Sequence, residues 1–442
     1  ESTLSVSQVM SIVKRYHPVA RIADINIDMA KADITIARGQ FDPQLYSSNA
    51  QKTFDGTDYY NYNRPELNIP TWFGVNISTG IEYLSGSRTD PQETSGKTSY
   101  FGVTVPLAKN LLMDKRRAAL QTAKIYKDAS LVEKNVLLNN ILQESMAAYW
   151  NWTLQYQVLR VLNDAVDVNR KRVEFIKTSF RLGDRPGIDT IEAIAQLQNM
   201  ELMQYQAALD FNNAGLGLSV YLWTSEQQPY TLPSTVIPDT QPGLTELPVP
   251  VLDSLLNAAR LRHPELRLYD YKLDALDVEK KLKFQELLPA VYFTYNQLGK
   301  GYDVLKTATG PLFENNFRYG FSVGIPLRFS AGRGEYKKAK LKIMEAETEQ
   351  RYKQLLVETK VRSYYNELVT LRNQLLLQEN NYKNYRLLLQ GEETRFKNGE
   401  SSLFLVNTRE NKTLEALQKL QELRNKYIKT FNSLQWAAGQ LL

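Results

Sequence analysis

The sequence predicts a mainly α-helical protein with a transmembrane β-barrel portion, built as a tandem structural repeat. Three observations predict this. First, the chain occurs twice: His17-Pro18 returns as His263-Pro264, Phe101–Leu107 (FGVTVPL) as Phe321–Leu327 (FSVGIPL), and the turn Phe180–Asp184 (FRLGD) as Phe396–Glu400 (FKNGE). The offsets are 246 (263−17), 220 (321−101) and 216 (396−180), near half of 442 residues, so one duplication spans the chain. Second, long windows lack proline and glycine. Third, short segments between them alternate apolar with small or polar residues.

The helices are taken first. One is expected over 18–38 and its copy over 264–287. Neither proline nor glycine occurs from Lys109 to Arg181 or from Glu335 to Gln390. Strong helix formers fill both windows, with apolar residues three or four apart, as in Leu138, Leu142 and Met146 or Val361, Tyr365, Leu368, Leu371 and Leu375. At 1.5 Å per residue, about 70 residues make a rod of about 105 Å. Each rod stops at a glycine, Gly183 or Gly399, where a left-handed residue ends a helix. Return helices follow over 188–223 and 403–439. Val136, Leu137, Leu138, Ile141 and Leu142 cover more than half the circumference, so this helix needs neighbours on two sides, as in a closed ring of helices. Ser330-Ala-Gly332-Arg-Gly334 reads as a turn before the second rod.

Four segments alternate with period two. Over 318–327, Tyr319, Phe321, Val323, Ile325 and Leu327 oppose Gly320, Ser322 and Gly324. Over 99–107, Phe101, Val103, Val105 and Leu107 share one face; over 72–83, Phe73, Val75, Ile77, Ile81 and Tyr83; over 291–296, Val291, Phe293 and Tyr295. Lipid-facing barrel strands carry this signature, and so does a half-buried sheet on a soluble core. No other part of the chain supplies an obvious core to cover them. The segments between, Asp55–Pro70, Gly86–Lys97 and Gly299–Asn316, are polar and tyrosine-rich, as outer loops and an aromatic girdle would be. Tyr59, Tyr60, Tyr62, Trp72, Tyr292, Tyr295 and Tyr302 are expected near the outer membrane boundary. From His-Pro to the strand-end proline the first repeat spans 89 residues (106−17) and the second 63 (326−263). The 26 extra residues (89−63) fall around Asp55–Lys97. Since the chain must return, segment 72–83 either bends back near Thr79-Gly80 or projects beyond the membrane.

Composition narrows the chemistry. Hydrophobic residues make up 43%, a globular value, so the chain is not disordered. No run of about 18 apolar residues offers a membrane-spanning helix. The absence of cysteine excludes disulfides, thiolate metal sites, a cysteine nucleophile and a lipid-bearing cysteine in the chain as given. A start at Glu1 without methionine or leader suits a mature exported protein or a trimmed one. The net charge of +6 is interspersed, as in Asp114–Arg117, which suits solvated helix faces and no nucleic-acid partner. Both histidines precede proline, a position that avoids α geometry, so they read as helix boundaries rather than metal ligands. There is no phosphate-cradling loop and no Gly-x-Ser-x-Gly elbow. No catalytic, cofactor or metal site is expected.

Several motifs, in order, resemble the TolC family of outer-membrane efflux and secretion channels. They are the two His-Pro pairs, the strand ends Pro106-Leu107 and Pro326-Leu327, the basic helix starts after them, the turn Gly183…Asp189…Glu192 and the turn Gly399–Phe404. The resemblance covers essentially the whole chain. It implies a homotrimer in outer-membrane lipid. Each chain would give four strands to a twelve-stranded β-barrel, continued by a long α-helical barrel, the tunnel, in the periplasm. It implies a passive exit duct for efflux or type I secretion. The implied partners are a periplasmic adaptor (membrane-fusion) protein at the helical tips and, indirectly, an inner-membrane transporter. A non-pore coiled-coil scaffold of the envelope is the alternative; it would need no membrane strand and no detergent for extraction. The sequence does not name the cargo, small molecule or protein.

The expected organisation follows. Residues 1–223 form the first repeat, with helix 18–38, barrel strands within 41–107 and a helical hairpin over 109–223. Residues 224–250 form a Pro-rich linker or equatorial belt. Residues 251–442 form the second repeat, with helix 264–287, strands within 289–328 and a hairpin over 333–439. The resemblance places the adaptor-contacting tips at Leu182, Gly183, Asp184, Asn398, Gly399 and Glu400. It also implies carboxylates just past the second tip glycine, ringing the tunnel mouth. Here Leu405 and Thr408 stand there, while the first repeat keeps Asp189 and Glu192 at the matching spacing. The expectation is an apolar constriction around Leu403–Leu405, with Asp189 and Glu192 stabilising helix starts.

Overall fold

The computed structural model describes residues 2–90, 92–239 and 249–441. Part of the expected linker, 240–248, lies outside the described residues. The first repeat runs β1 (Ser2–Leu4), α1 (Val6–Tyr16), α2 (Pro18–Gly39), β2 (Gln44–Phe54), β3 (Thr57–Pro70), β4 (Asn76–Ser85), β5 (Gly96–Pro106), α3 (Lys115–Arg181) and α4 (Gly187–Ser219). Then follow β6 (Val236–Pro238), α5 (Leu252–Arg262), α6 (Pro264–Gln285), β7 (Ala290–Lys300), α7 (Val304–Ala308), β8 (Phe317–Gly324), α8 (Ser330–Lys397) and α9 (Leu403–Ala437).

The duplication holds for the helices on either side of the sheet. α1 and α5 have 11 residues each, and α2 and α6 have 22 each. α3 and α8 have 67 and 68, and α4 and α9 have 33 and 35. The His-Pro pairs explain the first joint. Proline keeps its predecessor extended, and His17 and His263 have ψ of 137° and 122°. Each histidine carbonyl then accepts an N–H from the first turn of the following helix, from Ala20 at 2.9 Å and Leu266 at 3.0 Å. The fold is thus mainly α with a sheet portion and a tandem repeat. Two boundaries differ from expectation. Ser330–Gly334 is the first turn of α8 rather than a turn before it. α3 starts only at Lys115, because Asp114 caps it, its Oδ1 accepting the Arg117 N–H at 2.8 Å.

The chain divides into two compact units. The first is Glu1–Ile25, Val132–Arg267 and Tyr352–Leu442. Its largest core gathers Val9, Val13, Leu142, Tyr149, Trp152, Phe211 and Leu218, with Trp152 and Phe211 stacked at 6.0 Å. A second core joins Leu256, Ala259, Val361, Leu368, Leu420 and Leu434. β1 pairs in parallel with β6, tying the chain start to the segment after α4, and the Tyr149 hydroxyl donates to the Leu4 carbonyl at 3.0 Å.

The second unit is Asn26–Leu131 and Leu268–Arg351. Its sheet has the order β2-β3-β4-β5-β7-β8, every pairing antiparallel. Here the count departs from four strands per chain, since six are present. The surplus is one hairpin in the first repeat: β3 lies within the Asp55–Lys97 stretch expected to hold the 26 extra residues, whereas β2 precedes it. Asp55–Pro70, polar, long and tyrosine-rich, reads from the sequence as a loop, but most of it is β3. A two-residue turn, Asp55-Gly56, joins β2 to β3, with φ of +49° and +68°. Both central residues are left-handed, as the tight turns that match strand twist require. With β2 and β3 counted, each half crosses the sheet an even number of times, so segment 72–83 neither bends back nor projects. Its first residues form the turn Thr71–Val75, and the rest is β4. Trp72 in that turn stacks on Phe41 at 4.7 Å, and the Tyr292 hydroxyl accepts from Asn110 at 3.0 Å. Both therefore sit at the helix-side end of the sheet, opposite Asp55-Gly56, not at the outer end.

Candidate functional site

The apolar face of the sheet follows from the register. Ile77 faces Val103, Val103 faces Tyr295 and Tyr295 faces Tyr319; Val105 faces Phe293, which faces Phe321. Phe321 and Tyr319 remain 61% and 63% exposed. No helix among the described residues is long and apolar enough to cross a membrane. The opposite face is polar. Arg64 stacks over the Tyr100 ring at 4.8 Å and its Nε donates to the Tyr100 hydroxyl at 3.1 Å. That hydroxyl donates to Glu66 at 2.6 Å, and Arg64 pairs with Glu66 at 3.1 Å. Arg64 and Glu66 lie on β3, so reading 57–70 as a loop concealed this cluster.

The six tip residues are exposed, and the two tips are built alike. The Gly183 N–H donates to Phe180 at 3.0 Å and the Asp184 N–H to Ser179 at 2.9 Å; Gly399 donates to Phe396 at 3.1 Å and Glu400 to Arg395 at 2.9 Å. This is the bonding of a glycine helix stop. Gly183 and Gly399 have φ of +82° and +79°, a region that costs any other residue about 1–2 kcal/mol. Leu182 and Asn398 precede those glycines and close the last helical turns, donating to Thr178 and Thr394 at 3.1 Å each.

Behind the tips, Val173, Ile176, Ala193, Phe396, Leu403 and Val406 form one cluster. Leu403 is 1% exposed within it, whereas Leu405 is 40% exposed. The exposed Thr408 donates to the Phe404 carbonyl at 2.8 Å. Leu405 and Thr408 thus share the solvent side of α9, and Leu403 does not. Asp189 sits in the first turn of α4, paired with Arg185 at 3.5 Å. Arg185 in turn lies 3.8 Å over the Phe396 ring and donates to the Phe396 carbonyl at 3.1 Å. Glu192 accepts from Asn407 at 3.2 Å. Both carboxylates are engaged within the chain.

One polar group was not foreseen. Arg172 on α3 holds Glu410 on α9 with both arms, at 2.7 and 3.1 Å, while Asn169 donates to Glu410 at 3.1 Å. Asn407 accepts from Arg172 at 3.4 Å, and Glu393 stands 3.6 Å away. The signal was present, since Leu403, Val406, Asn407 and Glu410 are three or four apart and share the buried stripe of α9.

Comparisons with known proteins agree with this geometry. Residues 255–440 match the outer membrane efflux protein family. No curated relative matches by sequence. Solved structures match over nearly the whole chain. The CmeC outer membrane channel of Campylobacter jejuni is 14% identical with a TM-score of 0.68, over 99% of this chain and 86% of that one. The outer membrane protein VceC of Vibrio cholerae is 14% identical with 0.66, over 98% and 96%. The open MtrE outer membrane channel of Neisseria gonorrhoeae is 13% identical with 0.65, over 99% and 89%. At such identities the likeness is one of fold. Residues 255–440 thus resemble the outer membrane efflux protein family, and the whole chain carries the fold of the solved outer membrane channels.

Proposed function

We propose that the chain is one third of a trimeric exit duct in the outer membrane, a passive channel without enzymatic activity. The observation that carries this is the apolar side of β8, with Tyr319, Phe321 and Val323 left exposed, in a chain in which no described helix could cross a membrane. Strands with lipid on one face and a polar interior on the other suit that arrangement. The paired long helices would continue the duct into the periplasm. The exposed glycine tips would meet a periplasmic adaptor coupled to an inner-membrane transporter, and that pump would supply the energy. Near the tips Leu405 is the constricting residue, with Leu403 anchoring α9 beneath it and Asp189 and Glu192 holding their helix starts. The non-pore scaffold is not favoured, because a soluble scaffold has no use for a bare aromatic sheet face.

The test is location and topology. The protein should fractionate with the outer membrane, need detergent for extraction and run as a trimer. The turn at Asp55-Gly56 and the loop after β7 share the end of the sheet away from α2, α3 and α6. Cysteines introduced as Asp58→Cys and Asp303→Cys should therefore react with an impermeant reagent on intact cells. Protection of both, or a monodisperse monomer in plain buffer, would refute the proposal.

A further inference from the structure

The sheet ends on two strands that lack an outer partner among the described residues. β2 pairs only with β3, and β8 only with β7. Both edges are exposed at every position. Natural edge strands that stay unpaired are commonly blunted by proline or by several charges. Neither edge here has a proline, and each has a single charge, Lys52 or Arg318. The strand number is even and every pairing is antiparallel, so the two edges run in opposite directions. Copies of the chain can therefore join edge to edge by further antiparallel pairing.

The register sets the fit. A row of paired residues crosses the sheet from Gln44 through Asn68, Ser78, Gly102 and Asn296 to Arg318. Joined along that row, the two edges would barely overlap, because Gln44 begins β2 and Arg318 lies next to the start of β8. A slip of six residues (324−318) sets Gly324 against Gln44 and Phe317 against Gln51, so that all eight residues of β8 gain partners. Six is an even number, so both faces stay continuous. Val323 then stands beside Leu45 on the apolar face. On that same face Ser47, Asn49 and Gln51 each gain an aromatic neighbour, Phe321, Tyr319 and Phe317. A slip of six residues per six strands, at about 3.3 Å rise and about 4.8 Å spacing, tilts the strands by about 35°. That is the tilt at which membrane barrels close, roughly 35–45°.

We infer that β8 of one copy pairs with β2 of the next in this register, so that three copies close one eighteen-stranded wall (3 × 6). The trimer and its shared barrel are taken from the proposed function; the register of the seam and the strand count are the new content. The β2–β3 hairpin becomes part of the wall, and β3 brings Arg64 and Glu66 to its polar face. Barrel diameter grows roughly linearly with strand number, so the wall is roughly 1.5 times as wide as one of twelve strands.

The chain has no cysteine, so an introduced pair reports without background. Ser48 faces Gly320 across the inferred seam, and a side chain at Gly320 meets nothing within 4 Å. The full chain carrying Ser48→Cys and Gly320→Cys, purified in detergent and oxidised, should migrate mostly as covalent dimers and trimers that reductant dissolves. Either single variant should stay monomeric on the same gel. Tyr46→Cys with Ser322→Cys is the second pair in the same register and decides the matter if the first pair does not assemble. Light scattering on the same sample separates the two levels of inference. A trimer that cross-links at neither pair overturns the eighteen-stranded seam and leaves the duct standing. A particle that is not a trimer overturns both.

Discussion

Breaking the Arg172–Glu410 pair should loosen the tip region more than any exposed ion pair would. Its side chains are only 11% and 7% exposed, and it joins α3 of the first repeat to α9 of the second. Two guanidinium bonds and one from Asn169 satisfy the carboxylate. Removing one partner of such a pair leaves a buried charge alone and costs about 3–5 kcal/mol. Every 1.4 kcal/mol is tenfold, so Arg172→Ala should speed hydrogen exchange around residues 165–181 and 403–416 by about a hundredfold to a few thousandfold, where those amides exchange by local opening. Glu410→Ala should do the same to the same amides. The double change Arg172→Met with Glu410→Leu leaves no stranded charge and should cost less than either single change. Acceleration below tenfold in both single variants, or a double variant worse than both, would show that this pair does not hold the repeats together.

The other predictions concern pH and conduction. Burial lowers the pKa of His17 and His263 below 6.5; around His263, Lys353 and Lys360 lower it further and Glu265 opposes them. The unfolded chain then takes up these protons before the folded one does, so their contribution is full above pH 6.5 and is lost as pH falls through the lowered values. For His17 the bond from the Val19 N–H to Nδ1, 3.2 Å, would be lost too. Thermal unfolding of His17→Gln with His263→Gln should therefore depend less steeply on pH between about 7 and 5 than that of the parent; an unchanged slope contradicts this assignment. In planar bilayers Leu405→Ser should raise single-channel conductance, because an apolar constriction conducts poorly when it dewets. Asp189→Asn with Glu192→Gln should leave conductance and divalent-cation block unchanged. If only the carboxylate changes have an effect, the gate is electrostatic.

The helices were legible because their signals are local. The His-Pro pairs, the proline-free windows and the tip glycines each act through backbone rules that need no partner, and the boundaries fell within a few residues, apart from the start of α3. Two kinds of feature were hidden. The β2–β3 hairpin lacks the apolar stripe by which strands are recognised: Ser47, Asn49 and Gln51 are polar on one face, Lys52 and Arg64 on the other. Its one clear sign was the Asp55-Gly56 turn, two residues easily read as part of a polar loop. The buried pair was hidden for the opposite reason. Arg172 and Glu410 are 238 residues apart, and charged residues on long helices are usually solvated. Only their coincidence with the Leu403–Val406 stripe marks them as interior.

The β2–β3 hairpin also accounts for where the two repeats differ in length. The helices kept their lengths, since α2 and α6 match residue for residue in number and the long pair differ by one. A helix that changed length would lose its facing partner along the whole pair. The sheet could grow at its edge, because a hairpin added there disturbs no existing pairing and keeps the strand number even. An even number is the condition for the chain to return to its helices. It is also the condition for the new edge to meet the old one antiparallel in the next copy. The first repeat could therefore gain 26 residues (89−63) without cost to the helical register. The same insertion in a helical hairpin would have displaced Arg172 from Glu410 and one tip glycine from the other.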